Sequence, residues 1–175
     1  ALGWASVYQV KPEDGADTDL FGHAVAIDGD TLVVGSPQDD DQGNNSGSIY
    51  IYSFTGTDTD SIVLEQKVSA PDGDAGDLFG SAVSISGDTI AVGSPGDKPS
   101  GTMSGSVYIA RKVEGTWSLE QKIAPTNGAS NDAFGSSVAL SGDTVVMSAA
   151  GDDDLGTNSG SVYVGTRTGT TWTIE

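Results

Sequence analysis

One unit recurs three times along this 175-residue chain, and that periodicity narrows the possible folds more than any other feature. The segments Asp19-Leu-Phe-Gly22, Asp77-Leu-Phe-Gly80 and Asp132-Ala-Phe-Gly135 are in register. Phe21 precedes Phe79 by 58 residues, and Phe79 precedes Phe134 by 55. Each Phe-Gly opens a similar stretch: GHAVAIDGDTLVVGSP, GSAVSISGDTIAVGSP and GSSVALSGDTVVMSAA. From each Phe to the Gly of the Ser-Gly-Ser that follows is 26 residues in all three copies. The three extra residues of the first copy fall between Tyr52 and Ile62, so a fixed frame carries one variable loop.

Each unit reads as four short strands, in the first copy Phe21–Ile27, Thr31–Gly35, Ser48–Tyr52 and Ile62–Val68. Alternating apolar residues rich in β-branched types, bounded by Gly, Asp and Asn, carry that reading. In strand one, Phe21, Val25 and Ile27 face one way and the small Ala24 and Ala26 the other. A sheet with one bulky and one small-residue face can stack on a copy of itself, which is the packing need of a propeller blade. Turns at Gly29, Gly87 and Gly142 join strands one and two. The expected fold is all-β: three four-stranded antiparallel blades in an open arc, part of a six- or seven-bladed propeller. The boundaries follow: 1–14 a fourth strand of a preceding blade, 15–72 the first blade, 73–126 the second, and 127–175 the third, incomplete at its fourth strand.

Phe-Gly followed about 14 residues later by Gly35-Ser36-Pro37 or Gly93-Ser94-Pro95 resembles the FG-GAP repeat, which builds the β-propeller of integrin α subunits and many bacterial and algal surface proteins. The third copy is degenerate, with Ser148-Ala149-Ala150 in place of Gly-Ser-Pro. Integrin-type repeats often carry a calcium loop between strands one and two. Here that position holds only Asp28-Gly29-Asp30, Ser86-Gly87-Asp88 and Ser141-Gly142-Asp143, too few oxygens for calcium. Asp30, Asp88 and Asp143 read as turn residues.

The ends obey the same arithmetic. Trp4, Ile62 and Trp117 each precede the next repeat's Asp by 15 residues, so Trp4–Val10 is an orphan fourth strand. Trp172 is the counterpart of Trp117, 168 residues after Trp4, or one period of 58 and two of 55. Three blades do not close a ring, and an open arc exposes two faces and an edge. More blades of a parent polypeptide, or a second copy giving six, would complete it.

Composition removes other classes. The formal net charge is −18, with 7 Lys and Arg against 25 acidic residues, so no basic patch exists for nucleic acid. No apolar run approaches 18 residues, so no membrane insertion is expected. Without cysteine there is no thiol catalysis, disulfide or Cys-ligated zinc.

Of the acids, 20 are Asp, and they cluster. The strand two-to-three loops hold Asp39, Asp40 and Asp41, and Asp152, Asp153 and Asp154, each run followed by Gly and Asn. Three carboxylates in such a loop can fold around a hard cation, and calcium is the expected ion. A solvated acidic loop that aids solubility is the alternative. The inter-blade connection offers Asp72, Asp74 and Asp77 at chelating spacing. There the alternative is backbone capping by Asp19, Asp77 and Asp132, which recur in every copy.

An enzyme is not expected. His23 aligns with Ser81 and Ser136, and no nucleophile or phosphate-loop motif accompanies it. Trp117 and Trp172 share a position with Ile62, which points to packing rather than sugar stacking, and Tyr50, Tyr108 and Tyr163 recur as blade-core or blade-interface residues. Asn44-Asn45-Ser46 is a glycosylation sequon, meaningful only in a eukaryotic secretory protein. The resemblance implies a non-enzymatic, extracellular or cell-surface scaffold that contacts protein or glycan through blade-end loops, 53–61 and 96–102 diverging most. The rival readings are a propeller appended to a catalytic domain and a purely structural assembly subunit.

Overall fold

The computed structural model describes residues 9–54 and 62–174. Most of the expected strand Trp4–Val10 and of the 53–61 loop lies outside them. Among the described residues, twelve strands form three sheets. The first contains β1 (Ala24–Asp28), β2 (Thr31–Ser36), β3 (Ser48–Phe54) and β4 (Ile62–Ser69). The second contains β5 (Ala82–Ser86), β6 (Thr89–Ser94), β7 (Ser106–Val113) and β8 (Thr116–Ile123). The third contains β9 (Phe134–Ser141), β10 (Thr144–Ala149), β11 (Ser161–Thr168) and β12 (Thr171–Ile174). Each is a four-stranded antiparallel meander in chain order, so the all-β open arc of blades is the fold.

Pairing of Ser86 with Thr89 leaves a two-residue turn at Gly87-Asp88, and Gly87 supplies a φ of +56°. The first strand starts later than the alternation suggests. β1 begins at Ala24, because Leu20 and Gly22 take φ values of 57° and 92° and turn the chain at Phe21. The equivalent Phe79 is fully buried beneath the preceding blade, bridging to Gly47. Only in the third copy does the strand reach back to its phenylalanine, Phe134.

Bulky and small faces do stack. Val33, Ile49, Ile51 and Val68 of the first blade form one core with Phe79, Ile85, Ile90, Val92 and Trp117 of the second. The same contact recurs one blade on, where Val107, Ile109 and Ile123 meet Phe134, Val145, Met147 and Trp172. The repeat glycines explain how closely the blades approach. A Cβ on Gly35 would lie 2.0 Å from the Gly80 carbonyl oxygen, and one on Gly93 1.9 Å from that of Gly135. The Gly of Gly-Ser-Pro therefore faces the Gly of the next Phe-Gly, backbone against backbone.

Glutamines clamp the outer edges. The Gln66 amide donates to the Trp117 carbonyl at 2.7 Å and accepts from the Trp117 N–H at 2.9 Å. Gln121 treats Trp172 identically, both bonds being 2.8 Å. A bulge precedes each glutamine: Glu65 is unpaired between Leu64 and Gln66, and Glu120 between Leu119 and Gln121. Among the described residues, both end faces are exposed. Val25 and Ile27 are 64% and 66% exposed, although their counterparts Val83 and Ile85 pack against the first blade. At the other end Val146, Val162 and Val164 are exposed, whereas Ala91, Val107 and Ile109 are fully buried.

Candidate functional site at the blade-end carboxylates

The β2–β3 loop folds back so that Asp39 lies almost fully buried beneath β3. Its carboxylate accepts from the Asp41 N–H at 3.2 Å, the Ser48 hydroxyl at 3.2 Å and the Tyr50 hydroxyl at 2.9 Å. The Tyr50 hydroxyl also lies 3.0 Å from Asp14. Lys67, opposite Tyr50 on β4, sends its ammonium to 2.7 Å from Asp14, 2.8 Å from Asp39 and 2.6 Å from Asp41, over the Tyr50 ring. Three acids drawn from the inter-blade connection and one loop thus converge on a lysine.

The electrostatics follow from that geometry. Burial pulls the Lys67 pKa down, but its bonds to Asp14, Asp39 and Asp41 outweigh burial and leave it well above 10.5. Lys67 is also the main reason that the Asp14 carboxyl falls below its usual range. Burial raises the Tyr50 hydroxyl, Lys67 opposes that, and the Asp39 and Asp14 acceptors add to the rise.

The second blade repeats the arrangement. Lys122 Nζ lies 2.7 Å from Asp72 and 2.5 Å from Asp97, and the Tyr108 hydroxyl bonds Asp72 at 2.9 Å. In the third blade Asn127 stands where the first two have Asp14 and Asp72. Asp152 accepts from the Ser161 hydroxyl at 2.7 Å and the Asp154 N–H at 3.0 Å, while the Tyr163 hydroxyl bonds Asn127 at 3.2 Å.

A model of the FG-GAP repeat matches residues 4–52, 62–110 and 117–165. The chain belongs to the FG-GAP repeat family. No curated protein matches it. Among solved structures, it is similar to the computationally designed Ika4 protein at 15% identity, covering 93% of each chain with a TM-score of 0.44.

The FG-GAP frame distributes the nine singled-out aspartates unevenly. Asp39 and Asp41 converge, joined by Asp14 from outside that set, and their carboxylate oxygens lie within 4.8 Å of one another. Asp40 accepts the Asn45 N–H at 2.6 Å and stays outside the cluster. Asp72 belongs to the Lys122 site rather than to a group with Asp74 and Asp77. Asp77 instead accepts the Asp74 N–H at 2.8 Å and meets Lys98, as Asp19 and Asp132 accept the N–H groups of Ala16 and Ala129. Asp154 accepts from the Asn127 amide at 3.3 Å, and Asp153 has no described side-chain bond.

The Lys67 ammonium lies within 2.8 Å of all three carboxylates, so a cation held by Asp14, Asp39 and Asp41 would have to displace it. The residues missed in the sequence are Lys67 and Lys122, although Glu65-Gln66-Lys67 and Glu120-Gln121-Lys122 recur at one offset.

Proposed function

We propose that this chain is a non-enzymatic segment of an extracellular or cell-surface propeller of six or seven blades, a rigid scaffold for protein or glycan contacts through its blade-end loops. The observation that carries the reading is the pair of exposed apolar end faces, each matching a face that is buried between blades elsewhere in the chain. Covering a valine or isoleucine contributes about 1.5–3 kcal/mol, so Val25 and Ile27 at one end and Val162 and Val164 at the other favour further blades. FG-GAP membership supports the scaffold role, and His23 is exposed and alone in the chain, so nothing recommends it as a general base.

Light scattering on residues 1–175 should show self-association, head face to tail face. A monodisperse, cooperatively melting monomer would overturn the reading. The degenerate third copy refines the expectation. Ser148 stands where Gly35 and Gly93 admit the next blade's carbonyl, so its Cβ opposes the same approach by an incoming Gly22. Ser148→Gly should therefore strengthen association severalfold.

Calcium is the second reading, favoured by the convergence of Asp14, Asp39 and Asp41. Binding there is an exchange in which calcium enters and the Lys67 ammonium leaves. Millimolar calcium should shift the melting temperature of the unmodified protein little, and raise that of Lys67→Met by several degrees through mass action. Magnesium, which demands a tighter octahedral cage, should do less. Equal stabilisation by calcium and by concentrated sodium chloride in Lys67→Met would reduce the effect to screening and sink this reading.

A further inference from the structure

Of the five asparagines in the chain, Asn127 alone precedes a glycine. Such a pair can react with itself. The backbone nitrogen of the second residue attacks the side-chain amide carbon of the first, and a glycine there has no Cβ in the way. The fold surrounds this amide with groups the reaction can use. Asn127 is exposed on the connection between β8 and β9, and lines a cavity of about 330 Å3 with Asp154 and Tyr163. The Tyr163 hydroxyl donates to its side-chain carbonyl oxygen at 3.2 Å, and its amide nitrogen donates to the Asp154 carboxylate at 3.3 Å. One contact is on the atom that gains negative charge during attack, and the other is on the atom that leaves. In the first two copies the same position is already acidic and also precedes a glycine, as Asp14-Gly15 and Asp72-Gly73.

We infer that Asn127 is a self-deamidation site whose reaction is promoted by Tyr163 and Asp154. The bond from the Gly128 N–H to the Pro125 carbonyl, 3.2 Å long, opens first. The Gly128 nitrogen then bonds to the Asn127 side-chain carbon, while the Tyr163 hydroxyl stabilises the oxygen that gains charge. The proton displaced from the Gly128 nitrogen goes to solvent. Asp154, already in contact with the side-chain nitrogen, relays a proton to it as it departs. The amide carbon–nitrogen bond breaks, ammonia leaves and a cyclic imide remains. Water opens the imide at either carbonyl, giving aspartate and its β-linked isomer. Nothing is oxidised or reduced, and water is the only co-reactant. The aspartate product carries the acid that the other two copies encode at this position. The inference is independent of how the blades assemble.

Ammonia release and peptide mass mapping at position 127 both read the reaction. The full chain is held at neutral pH, folded in one arm and unfolded in guanidinium chloride in the other. One ordinary hydrogen bond to the reacting amide corresponds to about three- to tenfold in rate. The folded chain should therefore deamidate at Asn127 faster than the unfolded chain by at least that factor. Tyr163→Phe keeps the ring and removes the donor, and should slow the folded chain about three- to tenfold. Asp154→Asn should slow it by a similar factor, and neither substitution should change the unfolded rate. A folded chain that reacts no faster than the unfolded one would overturn the inference, and that comparison needs no substitution. A folded Tyr163→Phe variant that reacts as fast as the unmodified protein, or faster, would overturn it too, since the phenol would then be neutral or a brake. An unslowed Asp154→Asn variant would remove the carboxylate from the mechanism and with it the inference.

Discussion

Gly93→Ala should separate the second and third blades, lowering stability by about 3 kcal/mol or more. The added Cβ would sit 1.9 Å from the Gly135 carbonyl oxygen and 3.0 Å from its carbon. Neither neighbour is the end of a flexible side chain. Both belong to the backbone that positions Phe134, so relief requires the blades to part. The cost of the methyl is therefore paired with lost contact across the second core, including the burial of Trp172. Gly87→Ala is the matched control. Nothing lies within 4 Å of its Cβ position, and only the positive φ opposes it, at about 1–2 kcal/mol. Denaturant unfolding of both variants checks the comparison. A loss at Gly93→Ala no larger than at Gly87→Ala would show that the inter-blade approach does not require the glycine at position 93.

That contact also shows why the fold was legible before the structure. Gly35, Gly93, Phe79 and Phe134 recur because backbone and ring must pass between blades at fixed places, so the packing requirement is written as residue identity. The start of β1 was less legible. Phe21 continues the apolar alternation of Val25 and Ile27, and only the positive φ angles of Leu20 and Gly22 remove it from the strand. The site was legible in part. Asp39 and Asp41 stood out as a run, but Asp14 precedes Tyr50 by 36 residues and joins them only once the inter-blade connection is folded beside β3. Asp72, Asp74 and Asp77 had a chelating spacing along the chain, yet Asp77 turns inward to hold the Asp74 N–H. Sequence spacing reports proximity along the chain, whereas the direction of a carboxylate is set by the backbone groups it satisfies.

The Lys67 ammonium should be the most stabilising charged group in the first blade. Lys67→Met leaves Asp39, whose side chain is 2% exposed, beside Asp14 and Asp41 with no cation among them. Removing one partner of a buried pair costs about 3–5 kcal/mol. Asp14 and Asp41 are half-exposed, and solvent screens them, so about 3 kcal/mol is expected at neutral pH. Lys112→Met breaks a more exposed pair with Glu65 and should cost about 1 kcal/mol or less. The loss should depend on pH in a defined window. Asp14 has a depressed folded-state pKa, so its contribution is present above its ordinary value of 3.8 and is lost as pH falls through the folded value. Lys67 has a raised one, so its contribution is present below its ordinary value of 10.5 and is lost only as pH rises through the higher folded value. The gap between Lys67→Met and the unmodified protein should therefore be widest between about pH 4 and 10. It should narrow as Asp14 protonates in acid. A gap that stays constant down to pH 2 would assign the loss to the packing of the lysine stem over Tyr50 instead of to its charge.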